Sequence, residues 1–151
     1  MKRHASLHPL SRDHHNVLVH ARRLRGLDAR FDAATARQRF LSYVPILSLH
    51  FDEEERILAP RIQDAALRNR LLAEHADLRS RFAALANASA EAQTELGQKL
   101  REHVRFEEDV LFPHLEDLQP GLDWPTVDAE ASAFRAATRP ASLGGGESCF
   151  L

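Results

Sequence analysis

The sequence has a single cysteine, Cys149, so no intramolecular disulfide framework can hold the fold. No apolar run approaches the ~20 residues that a membrane-spanning helix needs. The opening stretch, MKRHASLHPLSRDHHN, lacks the apolar core of a secretory signal, so a cytoplasmic protein with no membrane partner is expected. Charge of one sign is also lacking. Twenty Lys and Arg against 22 Asp and Glu leave a net charge of −2, whereas a nucleic-acid binder would carry a basic excess or stripe. There is no P-loop, no Gly-x-Gly-x-x-Gly and no His-Glu-x-x-His, which sets aside phosphate cradles, dinucleotide sites and zinc-protease helices. No run alternates apolar and polar residues in the manner of a strand.

Apolar residues make up 44% and charged residues 28% of the 151, a balance that fits one globular unit. A chain of this length buries roughly 70% of its unfolded surface and needs no covalent staple. Histidine is abundant, with nine residues at 4, 8, 14, 15, 20, 50, 75, 103 and 114. Imidazole ligates metals and exchanges protons near neutral pH, so this count directs attention to a metal site.

Ala, Leu, Arg, Glu and Gln dominate residues 1–118 and favour helix. Four amphipathic helices are expected, over Pro9–Arg25, Ala33–Ala59, Asp64–Ala86 and Ala90–Leu118. Their apolar stripes recur at three and four. They run through Leu10, Val17, Leu18 and Leu24; through Phe40, Leu47, Phe51 and Ile57; through Leu71, Leu72, Leu78 and Phe82; and through Leu96, Leu100, Phe106, Val110, Leu111 and Leu118. Gly26 is a stop for the first helix. Pro45 should kink or divide the second and Pro60 should end it. Short connections imply an all-α, antiparallel four-helix bundle over residues 1–118. Residues 119–151 form an extension with a short helix near Val127–Ala137, then a flexible tail with three consecutive glycines, Gly144 to Gly146.

Two segments resemble each other. HFDEEERILAP starts at His50 and HVRFEEDVLFP starts at His103, 53 residues later, and five of eleven positions agree. Helices one and three echo faintly, with Asp13-His14 in one and Glu74-His75 in the other. Residues four apart share a helix face about one turn, or 6 Å, apart along the axis. His50 with Glu54, and His103 with Glu107, can therefore point at one centre. His14 and His75 fall on the stripes of their own helices. Periodicity thus sends four imidazoles and two carboxylates into one core. Unpaired, each buried polar group would cost on the order of 1–3 kcal/mol. A cation satisfies them together, and mixed imidazole and carboxylate donors suit iron or manganese, with zinc admissible. A carboxylate can bridge, so two metals could share the site. His–Glu ion pairs that merely order a bundle are the competing reading.

Neighbouring groups compete for these roles. The stripe favours Glu54 over Glu53 and Glu55, Glu107 over Glu108, and His14 over the exposed His15. Glu55 and Glu108 are expected to be solvated or to support a ligand from behind. His114 reads as a boundary residue, and His20 has no strong case. His4 and His8 read as a tail, because Pro9 disfavours helix at His8.

The order His, His-x-x-x-Glu, acidic-His, His-x-x-x-Glu-Glu resembles the hemerythrin-like family of HHE cation-binding domains over residues 7–118. The resemblance implies an up-down-up-down four-helix bundle around two non-haem iron ions. It implies His14, His50, His75 and His103 as imidazole ligands and Glu54 and Glu107 as bridging carboxylates. Leu71 stands four before His75, where oxygen-carrying hemerythrins have a further His. One ligand fewer implies an iron position open to a small diatomic or a peroxide. The set of four His and two Glu is similar to members tied to iron–sulfur repair, nitric-oxide response or iron sensing. The repair proteins usually have an N-terminal cysteine-bearing segment, whereas the one cysteine in this sequence is Cys149. Turnover and sensing both remain open at this point.

Overall fold

A computed structural model describes residues 3–138, and these are mostly helical, with no strand among them. Five α-helices follow one another: α1 (His8–Leu24), α2 (Ala33–Glu53), α3 (Ala65–Ala84), α4 (Ala90–Phe106) and α5 (Trp124–Thr138). Helices α1 to α4 form a ring of contacts, α1 with α2, α2 with α3, α3 with α4 and α4 with α1. Local chemistry sets the ends. The side chains of Asp32, Asp64 and Ser89 accept from backbone N–H groups of the first turns of α2, α3 and α4. Helix α1 ends at Gly26, whose φ of 73° is left-handed; the Leu27 N–H returns to the Arg22 carbonyl. Gly97 lets α4 lie close on α1, since a Cβ there would stand 2.6 Å from the Ala21 carbonyl oxygen.

Helix α2 passes through Pro45 undivided. The helical path also continues beyond α2 and α4, but as wider π-helical turns over Glu54–Leu58 and Glu107–Leu111. The Ala59 N–H reaches the Glu54 carbonyl, and the Phe112 N–H reaches the Glu107 carbonyl. Pro60 and Pro113 follow at equivalent positions. A proline cannot donate to the carbonyl four residues back and its ring crowds it, so a turn with one extra residue relieves the conflict. That extra residue shifts the buried stripe by one place. Leu111, Phe112 and Leu115 are buried, while Val110 (43% exposed) and Leu118 (72%) face outward, against the 3.6-residue expectation. Leu18 and Leu72, also expected in the stripes, are exposed at the edges of their helices.

Two apolar clusters fill the bundle. One holds Val17, Phe40, Leu47, Phe51, Leu78, Phe82, Leu100 and Val104. The other holds Leu7, Leu10, Ile57, Leu71, Phe106, Leu111, Phe112 and Val127. The two ends of the described chain meet on this second cluster. His4 and His8 are no tail: His8 begins α1, and the His4 ring caps Ser6 and stacks on Trp124 at 4.0 Å. Pro9 tolerates this because its missing N–H falls in the first turn. The extension helix exists, begins at Trp124 and packs Val127, Ala131 and Phe134 against the same cluster. The tail expected beyond it, with Cys149, lies outside the described residues.

Candidate metal centre

Along each bundle helix one or two polar residues separate the clusters. Helix α1 places His14 between Leu10 and Val17. Helix α2 places His50 beside Phe51, and Glu54 opens the π turn that follows. Helix α3 places His75 between Leu71 and Leu78. Helix α4 places His103 beside Val104, and Glu107 opens the second π turn. None of the six is more than 4% exposed. All six residues expected from the sequence therefore meet in one place.

They form two groups of four: His14, His50, Glu54 and Glu107, and Glu54, His75, His103 and Glu107. Within each group one ligand-capable atom per residue lies within 4.8 Å of the others. Both carboxylates belong to both groups. Glu107 is the more central. Its oxygens lie 2.7 Å from His14 Nε2, 3.3 Å from His103 Nε2, 3.7 Å from His75 Nε2 and 3.9 Å from His50 Nε2. Glu54 Oε1 lies 3.2 Å from His50 Nε2 and 3.3 Å from His75 Nε2.

Most of these contacts lack hydrogen-bond geometry. Both oxygens of Glu54, Oε2 of Glu107, and Nε2 of His75 and of His103 are buried without a hydrogen-bond partner. Buried polar atoms left this way are costly, on the order of 1–3 kcal/mol each. Donors of the kind that bind iron, manganese or zinc, gathered and unsatisfied, fit a pair of cations.

The other nitrogen of every imidazole is held by a carboxylate. Asp13 contacts His50 Nδ1 at 2.9 Å, and Glu74 contacts His103 Nδ1 at 2.7 Å. Glu55 contacts His75 Nδ1 at 2.7 Å, and Glu108 contacts His14 Nδ1 at 2.8 Å. Such partners fix the ring and the tautomer, leaving Nε2 free for a metal. They are braced in turn. Arg79 binds Glu55, Arg70 donates to Glu74 at 2.8 Å, and Ser11 donates to Glu108 at 2.7 Å. The acidic residues preceding His14 and His75 thus serve the imidazoles of the next helix, a role that chain order alone does not reveal.

Charge in the cluster is strongly coupled. Burial by itself would push the imidazoles toward neutrality. For His14, Glu107 and Glu108 outweigh it and raise the ring to about 9. For His75, Glu107, Glu54 and Glu55 raise it to about 10. His50, burial notwithstanding, is raised well above its ordinary value by Glu54 and Asp13. Burial opposes ionisation of Glu107, yet the imidazoles, His103 foremost, hold its carboxyl well below the usual range.

The remaining histidines divide as follows. His15 is exposed and His114 half-buried, neither in either group. His20 is buried and stacks on Tyr43 at 4.5 Å, an apolar-core placement not visible in its sequence context. Phe51 stacks on His75 at 4.0 Å, the Phe106 ring lies 6.5 Å from that of His103, and Leu71 on α3 is buried. Glu53 was missed: it is buried beside Glu54 and accepts from Arg135 of α5 through both oxygens, each at 2.7 Å. Nothing in the local sequence pairs these two residues, which stand 82 positions apart.

A family model, the hemerythrin HHE cation-binding domain, matches residues 5–122. No curated protein and no solved structure matches the chain. With its helical bundle, its two acidic-His helices and its paired His-x-x-x-Glu segments around one buried cluster, the chain belongs to the hemerythrin HHE cation-binding domain family.

Proposed function

We propose that this chain is a non-haem di-iron protein that binds or reacts with a small ligand. His14, His50, His75 and His103 would be the imidazole ligands, and Glu54 and Glu107 would bridge the two irons. One observation carries the reading: two four-donor groups share both buried glutamates, and three of the four glutamate oxygens lack hydrogen-bond partners. The helices would run up-down-up-down as a unit over residues 1–118, with 119–151 an extension and the protein cytoplasmic. When bound, the irons would supply an open coordination position for O2, nitric oxide or peroxide.

The chain's own residues prepare that position. Asp13, Glu55, Glu74 and Glu108 orient the imidazoles. Leu71 supplies no donor on α3, so one fewer protein ligand crowds the site. Phe51, Leu71 and Phe106 exclude bulk water, which favours small, weakly polar ligands. Manganese or zinc fits the same donors.

Metal analysis of protein from iron-grown cells tests this. About two irons per chain are expected, falling to none in the His50→Ala, His103→Ala double variant because each metal group loses an imidazole. Full iron occupancy in that variant would overturn the ligand set. A second reading, iron or redox sensing without turnover, draws support from α5, which is anchored beside Glu54. Sustained consumption of peroxide or nitric oxide by the purified protein would decide for an enzyme; binding without consumption would decide for a sensor.

A further inference from the structure

The two halves of the bundle differ at one telling position. Residues 53 and 106 correspond under the 53-residue repeat, and each immediately precedes a shared glutamate. Phe106 is 2% exposed, sits in the apolar cluster and has the Arg70 guanidinium 4.0 Å from its ring centre. Glu53 is also 2% exposed. The same backbone setting therefore accepts an apolar ring, and packing does not require a charge there. Burying a carboxylate is unfavourable unless it is paired.

Arg135 provides the pairing. Its Nε and Nη2 donate to the two Glu53 oxygens, each at 2.7 Å, in the bidentate arrangement that is strongest for this pair. Arg135 stands on α5, beyond the residues the family model matches. Two further contacts from α5 reach the same stretch. Glu130 pairs with Arg61 at 2.6 Å, and the Phe134 ring lies 5.7 Å from the Arg56 guanidinium. Of the three partners, Glu53 and Arg61 flank the π turn that carries Glu54, and Arg56 lies within it.

We propose that Arg135 is a positioning residue for the metal centre, through which docking of α5 and cation occupancy stabilise one another. Arg135 holds Glu53, and Glu53 and Glu54 share one peptide unit at the mouth of the π turn. Release of α5 loosens the carboxylate that both metal groups use. By thermodynamic reciprocity, metal binding tightens α5 by the same factor. The proposal rests on the metal-binding reading above.

The test uses the full chain and Fe(II) under anaerobic conditions. Hydrogen exchange across residues 124–138 is followed with and without metal, and Fe(II) affinity is measured by titration. In the unaltered protein Fe(II) should slow that exchange about tenfold, within the usual range of site-to-site coupling. Arg135→Ala should weaken Fe(II) binding about tenfold and abolish the metal-dependent slowing. Arg135→Lys should restore part of both, as it keeps the charge and loses the fork. Glu53→Phe copies the other half of the bundle; α5 exchange should then no longer respond to metal. That variant decides the matter if Arg135→Ala fails to fold. Unchanged Fe(II) affinity in a folded Arg135→Ala or Glu53→Phe protein would reduce the pair to a docking contact, as would α5 exchange that ignores metal in the unaltered protein. Absence of any Fe(II) binding by the unaltered protein is a separate result, and it would overturn the metal reading itself.

Discussion

The two helix pairs can be compared residue by residue. His50, Glu54, Glu55 and Pro60 of the first recur as His103, Glu107, Glu108 and Pro113 of the second, and both pairs end in a π turn. The supporting acids follow the same rule. Asp13 and Glu74 each serve the His-x-x-x-Glu helix of their own pair, while Glu55 and Glu108 each serve the lone His of the other. The pairs part company at the braces. Arg135 of α5 locks the first turn through Glu53, whereas Arg3 reaches the second through the Glu108 carbonyl at 2.8 Å and the Glu116 carboxylate. They also differ at the bridges, since Glu107 approaches four imidazoles and Glu54 two. The lesson is that the repeat builds a near-symmetric donor set, and that elements outside the repeat make its two sides inequivalent.

The largest break of that symmetry should come from the bridging glutamates. In the metal-free protein, Glu107→Ala strips the counter-charge from four buried imidazoles. A loss of about 3 kcal/mol is expected, as for other broken buried pairs. Glu54→Ala should cost clearly less. Urea unfolding of the two variants checks this; equal losses would mean that Glu107 is not the centre of the charge network.

A smaller effect sharpens the symmetric part. Asp13→Ala and Glu74→Ala should each weaken metal affinity by roughly 10- to 100-fold, the usual consequence of losing a carboxylate behind a ligating imidazole. Titration of the two variants should give similar losses. A large loss in one and none in the other would show that the repeat does not extend to the supporting acids.

The smallest effect is read from pH. His14 and His75 are raised to about 9 and about 10, so their contribution to the metal-free protein is full below the ordinary imidazole value near 6.5. It is lost as pH rises through 9 to 10. Glu107, held low, acts in the opposite sense: its contribution is present above the ordinary carboxyl range and is lost only in strong acid. Melting temperature of the metal-free protein should therefore fall between pH 7 and pH 10. The metal-loaded protein should fall less, because ligated imidazoles are already unprotonated. Parallel curves for the two forms would contradict this.

Several features were legible in advance because they depend on local periodicity. His14, His50, His75 and His103 recur with Leu and Phe at three and four, and a helix has only one side to bury. Pairing His50 with Glu54 and His103 with Glu107 needs only the four-residue rise. The stripes failed at Leu18 and Leu72 on regular helix, and more extensively where the period itself changed. Val110 and Leu118 were expected inside, yet the π turn at Glu107 inserts a residue and brings Phe112 and Leu115 in instead. His4 was expected in a tail, because nothing nearby signals that its ring will meet Trp124, 120 residues along the chain.

By itself, then, the sequence determined the helices, their caps and the register of six polar residues on four apolar faces. These follow from backbone geometry and from the cost of burying charge, both of which act over one or two turns. Tertiary structure alone decided which acid stands behind which imidazole, that Glu107 is central, and that Arg135 closes on Glu53. The acid–imidazole and Arg135–Glu53 pairings join residues 20 to 94 positions apart, and their partners become neighbours only when the apolar faces have packed.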